Sequence, residues 1–131
     1  MTNIEWPEPE GVLAYLRDRM ASRGATLQVA SQADLIAGFE RARTAHAYEA
    51  DAAIFRLAAL MFDGIATRHP LVDGNKRLAW MGAIVLLDLN GLYLDAPEDA
   101  SYRIGMAVIG KEKSVEDLAA FFEEFSISNE Y

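Results

Sequence analysis

The chain has 131 residues, 52% hydrophobic and 24% charged, with nine Gly and four Pro, which suits one ordinary domain and excludes a disordered, collagen-like or low-complexity protein. Cysteine is absent, so a disulfide scaffold, a thiol nucleophile and thiolate zinc sites are excluded as well. Twelve Lys and Arg against twenty Asp and Glu give a net charge of −8, a poor balance for gripping a nucleic-acid backbone.

The charge is unevenly spread: residues 1–40 carry a net −3, residues 41–77 a net +2 and residues 78–131 a net −7. A locally basic middle inside an acidic chain suits an anionic ligand bound there. No run of eighteen apolar residues occurs, and Glu5, Glu8 and Glu10 stand where a signal peptide needs basic and then apolar residues. The expectation is a soluble, cytoplasmic chain without a membrane segment. Repeats, charge blocks and long linkers are missing, so the expected organisation is a single domain over residues 1–131.

In chain order, the spacing of Val12, Leu13, Leu16 and Met20 predicts an amphipathic helix from Gly11 to Arg23, stopped by Gly24. A second is predicted from Gln32 to about Thr44, with Leu35, Ile36, Phe39 and Ala42 on one side and Ser31 as cap. Ala52 to Ala66 leaves hardly any polar face, which marks a central helix, and Asn75 to Leu89 is similarly apolar beyond its first turn. Asn90-Gly91 supplies a left-handed stop for the latter. After Pro97, helices are expected from Glu98 to Ile109 and from Ser114 to Phe125, the last opened by a capping box of Ser114 and Asp117. The strand candidates are short, Thr26 to Val29 and Leu92 to Leu94. The fold class is therefore all-α, a compact arrangement of about six helices around a central buried helix pair.

The connection between the two apolar helices concentrates one His, one Asp, one Asn and three cations within ten residues, from Arg68 to Arg77. A helix starting near Asn75 presents free backbone N–H groups and the positive end of its dipole to an anion, and Gly74 lets a phosphate approach the main chain. Lys76 and Arg77 on the first turn are unfavourable for the dipole by themselves and gain from a bound anion. Asp73 suits a hard cation that bridges phosphates, and His69 suits removal of a hydroxyl proton at neutral pH. The same residues also fit a plainer reading, in which Asp-Gly-Asn is a turn and cap, His69-Pro70 ends a helix, and the cations are solvated.

His69-Pro70-Leu71-Val72-Asp73-Gly74-Asn75-Lys76-Arg77 resembles the signature of the Fic/Doc family, H-x-F-x-[D/E]-G-N-G-R-x-x-R, and more closely its Doc-type form, H-P-F-x-[D/N]-[G/A]-N-K-R. The likeness extends to the flanking apolar helices, the Leu89-Asn90-Gly91 ending and the terminal helix from Ser114 to Phe122. It implies an all-α Fic/Doc fold, His69 as the base that activates a target hydroxyl, and Asp73 as the Mg²⁺ ligand. Gly74, Asn75, Lys76 and Arg77 would bind phosphates through backbone and side chains, with Arg77 also counted in the catalytic set.

Lys76 stands where Fic adenylyltransferases have Gly, Trp80 stands where they have their second Arg, and Leu71 replaces the usual Phe. The first two departures agree with the Doc branch, so the resemblance implies a kinase that uses ATP and Mg²⁺ and belongs to a bacterial toxin-antitoxin pair. Its target would be a protein hydroxyl, foremost a Thr of elongation factor Tu, and its effect a block of translation. Its partner would be a cognate antitoxin. The alternatives are an adenylyl or other nucleotidyl transferase with the same loop, and a catalytically silent helical domain that binds a partner. A helix-turn-helix DNA binder fits the acidic charge badly.

The family's inhibitory pattern, [ST]-x-x-x-E-[GN], has a counterpart in spacing at Ser126 and Glu130, but Tyr131 occupies the Gly/Asn position, so restraint is expected from a second polypeptide. His46 is placed in a loop after the second helix and read as a surface or packing residue. Arg41, Arg43 and Arg56 are read as solvated or ion-paired, and the five Met as core filler.

Overall fold

A computed structural model of the chain describes residues 3–24 and 26–129. Six α-helices succeed one another: α1 Pro9–Met20, α2 Gln32–Tyr48, α3 Ile54–Arg68, α4 Asn75–Leu89, α5 Glu98–Ile109 and α6 Val115–Phe125. A 3-10 turn, Ala21–Arg23, follows α1, and two short strands, β1 Leu92–Leu94 and β2 Ser126–Ser128, complete the set.

The apolar α3 occupies the centre, packed by α2, α4, α5 and α6, and α1 covers α4 from outside. The core runs through all six helices, with Leu13, Leu35, Leu57, Phe62, Leu86, Val108, Leu118 and Phe122 among its buried side chains. Helix α2 can lie close against α3 because glycines meet at the crossing. A Cβ on Gly64 would come within 2.6 Å of the Gly38 carbonyl oxygen, and one on Gly38 within 3.0 Å of the Ile65 Cα.

Local signals explain most boundaries. Ser31 caps α2 by accepting the Asp34 N–H at 3.1 Å. Ser114 and Asp117 form a reciprocal capping box at α6, and those bonds to Ser114 hold the Asp117 carboxyl below the usual carboxylate range. Helix α1 begins earlier than Gly11 because Pro9 sits at its start, where the missing N–H costs nothing. Helix α2 runs on to Tyr48 rather than Thr44, carried by Ala45 and Ala47 with no breaker between them. His46 therefore lies in the last turn of α2 and not in a loop.

The predicted strand from Thr26 to Val29 is reduced to a single bridge between Val29 and Leu71. β1 forms as expected and pairs antiparallel with β2, which continues α6 without a breaker; Ser126-Ile127-Ser128 carries no strand signal of its own. Beside this ribbon the end of α4 is knotted by amide side chains. The Asn90 carboxamide donates to the carbonyls of Leu86 at 2.7 Å and Glu5 at 2.9 Å and accepts the Glu5 N–H at 3.0 Å. Asn129 donates from its side chain to the Asp88 carbonyl at 3.1 Å and from its backbone to the Gly91 carbonyl at 3.0 Å.

Among the described residues, no helix is long and apolar enough to cross a membrane. The Ser126/Glu130 spacing extends beyond the described residues, since Glu130 and Tyr131 lie outside them.

Candidate functional site

Helix α3 ends on His69, which closes the helix in a left-handed conformation (φ 51°, ψ 57°) and is exposed. The turn thrusts the imidazole off the end of a buried helix while Pro70 and Leu71 beyond it sink into the core. Leu71 is 3% exposed, so the smaller side chain in the Phe position still anchors the loop.

The loop is held from the outside by the segment before α2. The Pro70 carbonyl accepts the N–H groups of Ala30 at 2.8 Å and Ser31 at 3.1 Å, and the Val72 N–H donates to the Gln28 carbonyl at 2.9 Å. That segment is in turn fixed by Arg17 of α1, whose guanidinium donates to the carbonyls of Leu27 at 3.0 Å and Thr26 at 3.3 Å. Leu27, itself left-handed at φ 51°, packs under the loop: a Cβ on Gly74 would meet its Cδ2 at 2.5 Å. Gly74 adopts φ 92°, a left-handed conformation that glycine takes without strain.

From that glycine α4 starts without a side-chain cap. The Leu78 N–H already returns to the Gly74 carbonyl at 3.0 Å, which leaves the amides of Asn75, Lys76 and Arg77 at the helix mouth, without a protein acceptor among the described residues. Lys76 and Arg77 are exposed there and join no ion pair among the described residues, whereas Arg41, Arg56 and Arg68 pair with Asp63, Glu49 with Glu116, and Asp34. Two unpaired cations thus sit on a helix end whose dipole has the same sign. An anion held there would offset both.

The Asn75 side chain has a different task from the one expected of it. Its Oδ1 accepts the Leu71 N–H at 2.8 Å and its Nδ2 donates to the Leu71 carbonyl at 2.9 Å, so the carboxamide braces the loop while the backbone N–H stays at the helix mouth. Asp73 is exposed and accepts the Gly74 N–H at 2.9 Å. Among the described residues no group of three His, Asp or Glu side chains converges on a metal-sized space. A single accessible carboxylate beside an anion cradle fits Mg²⁺, which takes one or two carboxylates and completes its shell from water and phosphates.

Beside His69 lies a cavity of about 170 Å³ lined by Asp63, Ala66, Thr67, His69, Ile109 and Lys111. Arg17, Leu27, Asp63 and Lys111 all support or border the site and carry no motif that marks them in the sequence. Trp80, one turn beyond Arg77, points into the core, with its ring 5.8 Å from Phe62 and 5.6 Å from Phe122. His46 packs against Trp6 with ring centroids 5.9 Å apart and planes tilted by 55°, and Arg43 lies 5.4 Å over the same indole.

Arg17 yields a direct test of the outer brace. Replacement by Ala is expected to cost about 1 kcal/mol of stability in urea unfolding, and to raise amide exchange at Val72 and Ala30, whose bonds depend on the segment it holds.

The model of the Fic/DOC family matches residues 7–87, which span α1 to most of α4 and include the whole loop. A protein named Toxin Doc, from Mycolicibacterium smegmatis, is 39% identical over 56 residues, 43% of this chain and 43% of that protein. The aligned stretch covers less than half the length of that curated relative.

Proposed function

Because this chain belongs to the Fic/DOC family, we propose that it is a toxin that phosphorylates a protein hydroxyl at the expense of ATP, using the loop from His69 to Arg77. The observation that carries the reading is the uncapped, doubly cationic start of α4, held by a braced loop with an exposed imidazole four residues before Asp73.

The acceptor hydroxyl gives its proton to the His69 imidazole as its oxygen bonds to the γ-phosphorus. The bond from that phosphorus to the β,γ-bridging oxygen breaks, and its electron pair leaves with ADP. The amides of Asn75 to Arg77 and the cations of Lys76 and Arg77 offset the phosphate charge, and positioning together with charge neutralisation is most of what phosphoryl transfer asks. Asp73 would hold Mg²⁺, which would supply neutralisation of the phosphate charge.

Phosphoryl rather than adenylyl transfer is favoured by two residues. Lys76 takes the place of a glycine and crowds the cradle, and Trp80 places a core aromatic where a phosphate-binding guanidinium would serve the adenylyl pose. The proposed target is a Thr of elongation factor Tu, which would stop translation in the cytoplasm. The proposed restraint is a cognate antitoxin, in keeping with the toxin named among the relatives.

The test is incubation of the purified chain with Mg²⁺, elongation factor Tu and ATP labelled at either the γ or the α phosphate. Label is expected on the factor from the γ position alone. Label from the α position would establish nucleotidyl transfer instead, and no label from either would leave the partner-binding reading.

A further inference from the structure

We infer that the cavity beside His69 is a second contact point for the phosphoryl group in transfer, with Lys111 as its cation; the assignment of that group rests on the phosphoryl-transfer reading above. Three elements converge on the cavity: the end of α3 through Asp63, Ala66 and Thr67, the end of α5 through Ile109, and the turn before α6 through Lys111. His69 forms part of the same wall. A group that occupies this space is therefore next to the proposed base.

The charge of the wall selects what enters. Asp63 is already neutralised by its ion pair with Arg41. Lys111 joins no ion pair among the described residues, so its ammonium is the uncompensated charge of the lining, and the ligand it suits is an anion. With the acceptor hydroxyl against His69, the anionic group adjacent to it is the terminal phosphoryl of the nucleotide, while the remaining phosphates lie along the start of α4. Transferring phosphoryl groups carry their charge on peripheral oxygens, where a cation from a separate element has most effect.

The backbone gives an independent reason to ask what the lysine does. The turn folds so tightly that the N–H groups of Glu112 and Lys113 both reach the Ala107 carbonyl, at 2.8 and 3.1 Å. This requires a left-handed residue, and Lys111 takes that conformation at φ 67°, while Gly110 just before it sits at φ −81° and does not use its freedom. A glycine at position 111 would adopt the turn without strain. Position 111 instead carries a long cation, exposed and lining the cavity that His69 borders. Position 111 also lies outside residues 7–87, so this contact is independent of the matched motif.

The experiment measures MgATP and MgADP binding to the whole chain by calorimetry for the parent protein, Lys111→Gly, Lys111→Arg and Lys113→Gln. Lys111→Gly is expected to weaken MgATP by about tenfold with an unchanged or higher melting temperature. It should leave MgADP, which lacks the γ phosphate, unaltered. Lys111→Arg should retain parental affinity, and Lys113→Gln, an equal loss of charge on a neighbouring exposed residue, should change it by less than about twofold.

Equal MgATP affinity in the parent and Lys111→Gly overturns the proposal, as does an equal loss for MgADP or an effect of Lys113→Gln as large as that of Lys111→Gly. A parent that binds no nucleotide overturns it together with the reaction. A Lys111-dependent affinity for MgATP in a chain that transfers no label would leave the contact standing and remove only the reaction.

Discussion

Replacing His69 by Asn is expected to lower the rate of phosphoryl transfer by about 10²- to 10⁴-fold, the usual contribution of a positioned general base. Asn is the informative choice because position 69 is left-handed, a conformation that Asn accepts readily and Ala does not. The imidazole is exposed and ends a helix whose apolar residues stay in place, so the melting temperature should hold within a few degrees. A single-turnover assay on the labelled target measures the first quantity and thermal unfolding the second. Undiminished transfer, or undiminished growth arrest on expression, would remove His69 from the catalytic role.

The second large effect is on stability. Gly64→Val places a branched side chain where even a Cβ would lie 2.6 Å from the Gly38 carbonyl oxygen and 3.0 Å from the Arg41 Cβ. The nearer obstacle is backbone, so α2 and α3 must separate, and overpacking of this kind is expected to cost about 3 kcal/mol. That is a large fraction of the about 5–15 kcal/mol by which domains are stable. Urea unfolding checks the loss. Because α3 carries His69 at its end, residual folded protein should also transfer more slowly than the parent, in contrast to a variant that is merely less abundant.

The parts of the molecule that were legible from the sequence are those set by local rules. Helix α4 begins at Asn75 and ends at Leu89, and α5 runs from Glu98 to Ile109, as the apolar spacing and the flanking Gly and Pro predict. The capping box of Ser114 and Asp117 was equally readable, since both of its bonds span three residues. The site loop was legible as a set of residue types, and the structure adds which atoms are already engaged. No local pattern shows that the Asn75 carboxamide is consumed by Leu71, because that bond depends on how the loop folds over the Leu27 side chain.

What the sequence hid is long-range. Arg17 reaches Leu27 across the turn after α1, and Lys111 lines the same cavity as His69 from a different part of the chain. β2 escaped notice for the same reason: its partner β1 lies more than thirty residues earlier, and Ser-Ile-Ser is unremarkable until it is paired.

The amide knot at the far end of α4 bears on how the molecule opens. Glu5, Asn90 and Asn129 tie the segment before α1, the end of α4 and the residue after β2 to one another. Opening that end therefore releases three stretches of chain at once, and their protons should exchange with solvent as one cooperative unit. A protease nick near Glu5 or Asn129 should therefore loosen the end of α4 and the segment on the far side of the knot together with the cut strand.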